Sequence, residues 1–284
     1  MKAMVIPNLD KVNAKECTKK VIVELNSLSI DVLISDRHSE ELSGIKACFV
    51  EFFDGIKSCD VVIAIGGDGT IIHAAKHAVE VDKPLLGINV GRLGFMAGIE
   101  MSELSQLLGL KNGSYSIEER MLLECVHITK NDENTYLALN DVVVSNGALS
   151  RIIELDISCG DRQIITHRAD GIILSTPTGS TAYALSAGGP VIEPSMNCIS
   201  LTPICPHSLL SRTVIFKENS QITVRGSALN LHPIYITVDG EDGAKLEEQD
   251  SILVRRSEKT VKLITLNDKS FYEVLSNKFL LNKN

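Results

Sequence analysis

Apolar positions in the first third of the chain fall into two alternating periods. Ala3 to Pro7 is a short apolar run, after which Cys17, Val21, Leu25 and Leu28 recur at steps of four, four and three, the spacing of one helical face. Asp31 to Ser35 reads as a second short strand. Asp60 to Ile65 (DVVIAI) is β-branched without polar alternation, the mark of a central parallel strand covered on both faces. That run breaks at Gly66-Gly67-Asp68-Gly69. Ile71, Ala74, Ala75, Ala78 and Val79 then make an apolar helical face opposite His73, Lys76, His77 and Glu80. Pro84 to Val90 (PLLGINV) is another buried strand, and Ser102 is placed to cap a helix carrying Leu104, Leu107 and Leu108. Strand and helix alternate here as in an open, mostly parallel α/β sheet.

Beyond about residue 114 the period shortens to strands separated by turn residues. They are Leu122 to Thr129, Thr135 to Ser145, Ile152 to Ser158, Gly171 to Ser175, Gln221 to Arg225, Pro233 to Val238, Ser251 to Arg255 and Val261 to Thr265. The pattern predicts an α/β domain over residues 1–114 and a β-rich domain over 115–265. A C-terminal segment, 266–284, has a weak helical pattern from Phe271 to Phe279 and is expected to pack back on the first domain. There is no internal repeat and no linker rich in Pro or Gly.

Composition narrows the class. A chain of 284 residues suits two domains at about 150 residues each. With 28 Lys and Arg against 36 Asp and Glu, the net charge of -8 disfavours a nucleic-acid coat or a binder of anionic membranes. The 7 Cys are scattered and form no C-x-x-C pair, so neither a disulfide framework nor a zinc knuckle is indicated. Asn8 and Asp10 interrupt the first apolar run too early for a signal peptide. No run reaches the ~18 apolar residues of a membrane span. A cytoplasmic location, with no nucleic-acid or membrane partner, is expected.

The most informative segment is Ile65-Gly66-Gly67-Asp68-Gly69-Thr70, at the carboxyl end of a strand, where open α/β sheets place their ligands. Glycines let a phosphate approach the backbone, and the following helix offers free N–H groups with a positive dipole end. The segment is neither G-x-x-x-x-G-K-[ST] nor G-x-G-x-x-G. Asp68 either binds a divalent metal between phosphates, accepts a proton from an attacking hydroxyl, or caps its helix in a tight turn. His73, in the first turn, reads as a solvated histidine on the face it shares with His77.

Further on, Thr176, Thr178, Ser180 and Thr181 place four hydroxyls beside Gly179 and Tyr183, donors and acceptors plus one ring that suit an adenosine-type ligand. The same stretch, continued by Ala182, Ala184, Leu185 and Ala187, also reads as a capped helix whose N-terminus is an anion site. Asn140 and Asp141 lie in a strand-like stretch, Tyr136 to Ser145, and suit paired ribose hydroxyls or a solvated turn. Arg168 and Asp170 precede a buried strand and read as a structural ion pair. Asp239-Gly240-Glu241-Asp242-Gly243 lacks the spacing of a calcium loop and reads as a hairpin turn.

GGDGT after a buried strand resembles the shared motif of a kinase superfamily that includes NAD kinases, diacylglycerol and sphingosine kinases, and is related to phosphofructokinases. The remaining blocks are similar to the NAD kinase family specifically. They are Gly87 to Met96 (GINVGRLGFM), Asn140 to Val143 (NDVV), Arg168 to Gly171 (RADG), Ser175 to Tyr183 (STPTGSTAY), Ser186 to Pro190 (SAGGP), Leu201 to Leu209 (LTPICPHSL) and Val238 to Glu241 (VDGE). They run from about residue 60 to 243 in the family's order.

The resemblance implies a diacylglycerol-kinase/phosphofructokinase-like α/β domain followed by a β-rich one. It also implies transfer of a phosphoryl group from ATP, or from polyphosphate, to the 2′-hydroxyl of the adenosine ribose of NAD, giving NADP. Asp68 becomes the catalytic base, with Gly67, Gly69 and His73 near phosphate. Asn89, Phe95, Asn140, Asp141, Arg151, Arg168, Asp170, Thr178, Ser180, Thr181, Ala182, Tyr183, Ser186, Asp239 and Glu241 become nucleotide-binding positions. The family has Glu where Asp141 stands, so the reach there is one methylene shorter. A divalent cation, Mg2+, comes with the phosphates, and no protein ligand is assigned to it. A homodimer or homotetramer is implied too. The rivals are a diacylglycerol-type lipid kinase, which shares GGDGT but should lack TPTGSTAY and PICPHS, and a non-catalytic NAD(H)-binding sensor or β-sandwich interaction module.

Overall fold

The computed structural model describes residues 1–91, 94–147, 152–208, 211–228, 230, 232–267 and 269–280. The chain divides into two compact units, the first formed by Met1–Glu119 and Val261–Asn284, the second by Arg120–Thr260. Among the described residues, no helix is long and apolar enough to cross a membrane.

In the first unit, β1 (Lys2–Pro7), α1 (Ala14–Ser27), β2 (Asp31–Ser35), β3 (Cys48–Val50), α2 (Phe52–Ser58), β4 (Val61–Gly66), α3 (Asp68–Glu80) and β5 (Leu85–Asn89) follow in order. The strands form a parallel sheet ordered β3-β2-β1-β4-β5. Both β4 and β5 are buried along their whole length, as their unbroken apolar sequences require. Helix α1 buries Cys17, Val21 and Leu25 against this sheet, in one core with Ile63, Ile65 and Ile88. β3 and α2 have no counterpart in the sequence reading. Each is too short for a periodic signal, and α2 is nucleated locally by Glu51, whose carboxylate accepts the Asp54 N–H at 2.9 Å.

After β6 (Ile99–Glu100) a 3₁₀ segment, Met101–Leu107, leads into α4 (Leu108–Asn112). The expected Ser102 cap is not used. Glu103 instead reaches back to the Glu100 N–H at 2.9 Å, which starts the segment earlier.

The second unit is built from β7 (Ser116–Ile128), β8 (Glu133–Ala138), β9 (Asp141–Ser145), β10 (Ile153–Cys159), β11 (Arg162–Ala169), β12 (Gly171–Ser175), the one-turn α5 (Tyr183–Ser186), β13 (Cys198–Ile204), β14 (Val214–Lys217), β15 (Ile222–Gly226), β16 (Ile234–Val238), β17 (Glu241–Leu246) and β18 (Ser251–Thr265). One antiparallel sheet has the order β14-β13-β12-β9-β16-β17, and β11, β10, β15 and β18 pair antiparallel in another. Val142, Val144, Ile172 and Leu174 from the first sheet share a core with Leu155, Ile157, Val224 and Ile252 from the second.

Strands β11, β13, β14 and β17 were not foreseen. β11 is polar and largely exposed and is held by its pairing with β10, while Pro203 interrupts the apolar text of β13. Ser251–Arg255 and Val261–Thr265 are one continuous strand, β18, because the polar residues between them lie on it. Its last part returns to the first unit, where Leu263 pairs parallel with Leu85, and α6 (Phe271–Leu280) follows.

Candidate active site

In the first unit the site begins where β4 ends. Gly67 precedes α3, and Asp68 is the first residue of that helix, where the dipole favours a negative group. The Asp68 carboxylate faces away from its own helix and accepts the Phe95 N–H at 3.1 Å and the Met96 N–H at 3.3 Å. This approach requires glycine at 94, since a Cβ there would stand 2.1 Å from Asp68 Oδ1. Lys278 Nζ, from α6, lies 3.8 Å from Asp68 Oδ2, with the two side chains 29% and 32% exposed. Asp68 is thus not simply a helix cap. It is a partly open carboxylate held by a second loop.

Beside the bend is a cavity of about 570 Å³ lined by Asn8, Asp10, Arg37, His38, Thr70 and His73, among others, with Gly69 at its edge. The turn after β1 lays Lys11 against the bend, close enough that a Cβ on Gly67 would stand 2.6 Å from Lys11 Nζ. Arg37 donates from Nε to His38 Nε2 at 3.0 Å, and burial, followed by the Arg37 charge, holds the His38 imidazole below its ordinary pKa. His73 is exposed and its ring lies 5.1 Å from that of His77. His77 is not on a solvated face, since it packs edge-on against Phe52 at 4.9 Å. Asn89 is buried and its amide closes its own turn, accepting the Gly91 N–H at 3.2 Å.

The second unit carries a different constellation. The stretch expected as one strand, Thr135 to Ser145, breaks at Leu139-Asn140, and Asp239 is the reason. Asp239 and Gly240, at φ of 52° and 75°, form the tight turn of the β16–β17 hairpin. The Asp239 carboxylate accepts the N–H groups of Leu139 at 2.9 Å, Asn140 at 2.7 Å and Asp141 at 3.0 Å. Those three amides cannot then join a ladder. Asp239 is occupied with backbone, and Glu241 stands exposed at the start of β17. Asn140 is half-buried, and its amide makes no hydrogen bond among the described residues. Asp141 is buried, and burial, with the Asp239 charge adding to it, pushes its carboxyl up to about 7.

Against this corner lies the hydroxyl-rich loop. Thr176 donates to Leu139 O at 2.6 Å and accepts the Gly179 N–H at 3.0 Å, while a Cβ on Gly179 would stand 2.1 Å from Asn140 O. Ser180 donates to Pro177 O at 2.6 Å and accepts from Ile192 N at 3.0 Å. Thr181 donates to Thr178 O at 3.2 Å, and Thr178 accepts from the buried Arg120 at 3.3 Å. The expected capped helix is absent. A 3₁₀ turn, Thr178–Thr181, is separated from α5 by Ala182 at φ -98°, ψ -127°, where the Ser180 and Thr181 hydroxyls bond back to carbonyls three residues earlier and bend the chain. The hydroxyls shape the loop, and Tyr183, 47% exposed, is left as its open ring, with Ser186 exposed one turn later.

The expected ion pair between Arg168 and Asp170 does not form. Arg168 Nε faces Glu154 Oε2 at 3.8 Å, its partner across the β10–β11 pairing, and Asp170 is half-buried beside Asn146. Arg151 lies outside the described residues, as do Arg92, Leu93 and Leu209 of the motif blocks. Within the first unit the structure brings together Gly67, Asp68, Gly69, His73 and Phe95. Within the second it brings together Asn140, Asp141, Thr178, Ser180, Thr181, Ala182 and Asp239. Lys11, Arg37 and Lys278 were not foreseen, since no local pattern ties a lysine or arginine at those positions to a bend at residue 68.

A partly open carboxylate at a glycine bend in one unit, and an amide, a carboxyl and a ring in the other, are groups that a two-domain phosphotransferase acting on a nucleotide could use. Comparison with known proteins agrees. Residues 4–111 match the family model for the ATP-NAD kinase N-terminal domain and residues 139–266 that for the ATP-NAD kinase C-terminal domain. The NAD kinase of Natranaerobius thermophilus is 38% identical over 275 residues, covering 96% of each chain. That of Moorella thermoacetica is 39% identical over 274 residues, 96% of this chain and 87% of its own. The crystal structure of yeast NADH kinase complexed with NADH superposes with a TM-score of 0.89 at 25% identity, covering 100% of this chain and 88% of that one. An Archaeoglobus fulgidus NAD kinase in complex with ATP shares the fold, with a TM-score of 0.75 at 22% identity over 98% of each chain. The chain belongs to the NAD kinase family.

Proposed function

We propose that this enzyme transfers the terminal phosphoryl group of ATP to the 2′-hydroxyl of the adenosine ribose of NAD, giving NADP and ADP. The observation that carries the reading is the Asp68 carboxylate, held by the Phe95 and Met96 N–H groups at the carboxyl end of the parallel sheet with part of its surface open. A sugar hydroxyl is a poor nucleophile at neutral pH. As its oxygen bonds to the γ-phosphorus and the β–γ bridging bond breaks, Asp68 takes its proton and ADP leaves with the electron pair. ATP as the donor is supported by the family's description as ATP-NAD kinases, and a pyridine dinucleotide as the acceptor by the NADH bound to the yeast relative.

Lys11 and Arg37, beside Gly67 and the neighbouring cavity, suit the donor's phosphates. In the second unit, the free Asn140 amide, the Asp141 carboxyl and the Tyr183 ring suit the adenosine ribose and a base of the dinucleotide. The described residues contain no group of three or more His, Cys, Asp or Glu that could hold a metal ion. A divalent cation would be carried mainly by the phosphates, as Mg2+ commonly is, with Asp68 at the bend and Asp10 and Glu41 in the cavity lining as nearby carboxylates. Bound there, the cation neutralises charge on the donor phosphates.

Incubation with NAD, ATP and Mg2+, followed by enzymatic detection of NADP, tests the reading. NADP formation that depends on all three supports it. Phosphorylation of diacylglycerol instead of NAD, or NAD binding without turnover, refutes it.

A further inference from the structure

The last helix reaches the carboxylate that the proposed reaction uses. Its start is pinned by four bonds. Asn267 donates to Gly98 O at 2.8 Å, Lys269 to Glu103 at 2.6 Å, and Ser270 and Glu273 cap each other reciprocally at 3.1 and 3.2 Å. From that anchor, Phe271 and Lys278 are separated by two helical turns and share one face of α6. The Phe271 ring lies 6.1 Å from that of Phe95, and Lys278 Nζ sits 3.9 Å from the Phe95 centroid while facing Asp68 Oδ2 at 3.8 Å. Phe95 therefore does two things at once, fixing Asp68 with its N–H and seating the lysine with its ring.

We propose that Lys278 is a further catalytic residue, whose ammonium contacts the phosphoryl group during transfer; this rests on the reaction proposed above. A partly exposed ion pair with Asp68, at a separation as long as 3.8 Å, would stabilise the fold little, so the pairing alone does not account for so fixed a placement. The face of the Phe95 ring attracts the cation and holds Nζ beside Asp68 Oδ2, where the transferred group would pass. A hydroxyl held by Asp68 places the incoming phosphorus roughly 3–3.5 Å from the reacting oxygen. Its non-bridging oxygens then fall within reach of Nζ. In a chain of net charge -8, a fixed ammonium at that point offsets charge that develops only during transfer.

The test compares Lys278→Ala, Lys278→Met and Lys278→Arg with wild type for NADP formation at saturating NAD, ATP and Mg2+, beside KM for NAD and the melting temperature. Lys278→Met keeps the stem over Phe95, and so guards against loss of the docked helix. Expected is a fall in kcat of about 10²-fold for Ala and Met, with KM for NAD within a few fold and the larger part of the loss restored by Arg. A wild-type kcat, or a raised one, in Lys278→Met overturns the assignment, as does a loss no better in Arg than in Ala. A wild type that makes no NADP overturns the reaction and this role together; a wild type that does, beside an unimpaired Lys278→Met, overturns this role alone.

Discussion

Asp68 and Asp239 both accept backbone N–H groups, yet they are put to opposite uses. Asp68 takes two long bonds, at 3.1 and 3.3 Å, from a loop remote in sequence, and keeps about a third of its side chain open beside a lysine. Asp239 takes three, at 2.9, 2.7 and 3.0 Å, and so ties a hairpin turn to the corner at Leu139–Asp141. A carboxylate surrounded by amides has its lone pairs committed to structure, whereas one held by two amides from one side still has an edge for chemistry. Asp141, next to Asp239, is the third case. Its carboxyl makes no hydrogen bond among the described residues, and burial raises it to about 7. Neighbours, rather than residue type, sort the three.

Substitutions that remove one use and leave the other separate these cases. The largest effect is expected from Asp68→Asn, which keeps the shape and removes the base. Turnover should fall by about 10²–10⁴-fold in an NADP-formation assay, with the melting temperature nearly unchanged. Asp239→Ala should do the reverse, stranding three amides at a cost of roughly 3 kcal/mol. A melting temperature lower by about 10 °C is expected, along with weaker NAD binding as the Asn140 corner loosens. Gly94→Ala adds no charge change but pushes a methyl group onto Asp68 Oδ1. Turnover should fall by about 10²-fold through misplacement of the base, with NAD binding retained.

The smallest effect is a pH dependence. Because the folded-state pKa of Asp141 is raised, its contribution is most favourable below the ordinary carboxylate value of 3.8 and is lost as pH rises through about 7. Asp141→Asn should therefore melt with wild type near pH 4 and be the more stable of the two at pH 8. Equal melting temperatures at both pH values would remove the buried-carboxyl argument.

The Asp68 half of this contrast was largely readable beforehand. An unbroken β-branched run, a glycine bend and an amphipathic helix are local signals, and β4, α3 and the carboxylate at the bend between them follow from local rules. Gly94, by contrast, has no local pattern that reveals its duty to a residue 26 positions earlier. The Asp239 half was legible only in part, because its logic is non-local. The hydroxyls of Thr176, Ser180 and Thr181 suggest a ligand surface by composition, but composition does not say whether a hydroxyl bonds outward or back to its own loop. The hairpin turn at Asp239-Gly240 was foreseen, while its hold on Leu139–Asp141, about a hundred residues away, was not. β11, polar and exposed, is a strand only because β10 pairs with it, and a strand defined by its partner leaves no period in its own sequence.

The most direct test of Asp68 as the proton acceptor is a single-turnover experiment on Asp68→Asn with excess enzyme, saturating Mg2+-ATP and limiting NAD, with NAD affinity measured calorimetrically on the same preparation. Expected is NAD bound within a few fold of the wild-type affinity and no NADP on the wild-type time scale. NADP formed at the wild-type single-turnover rate would contradict it.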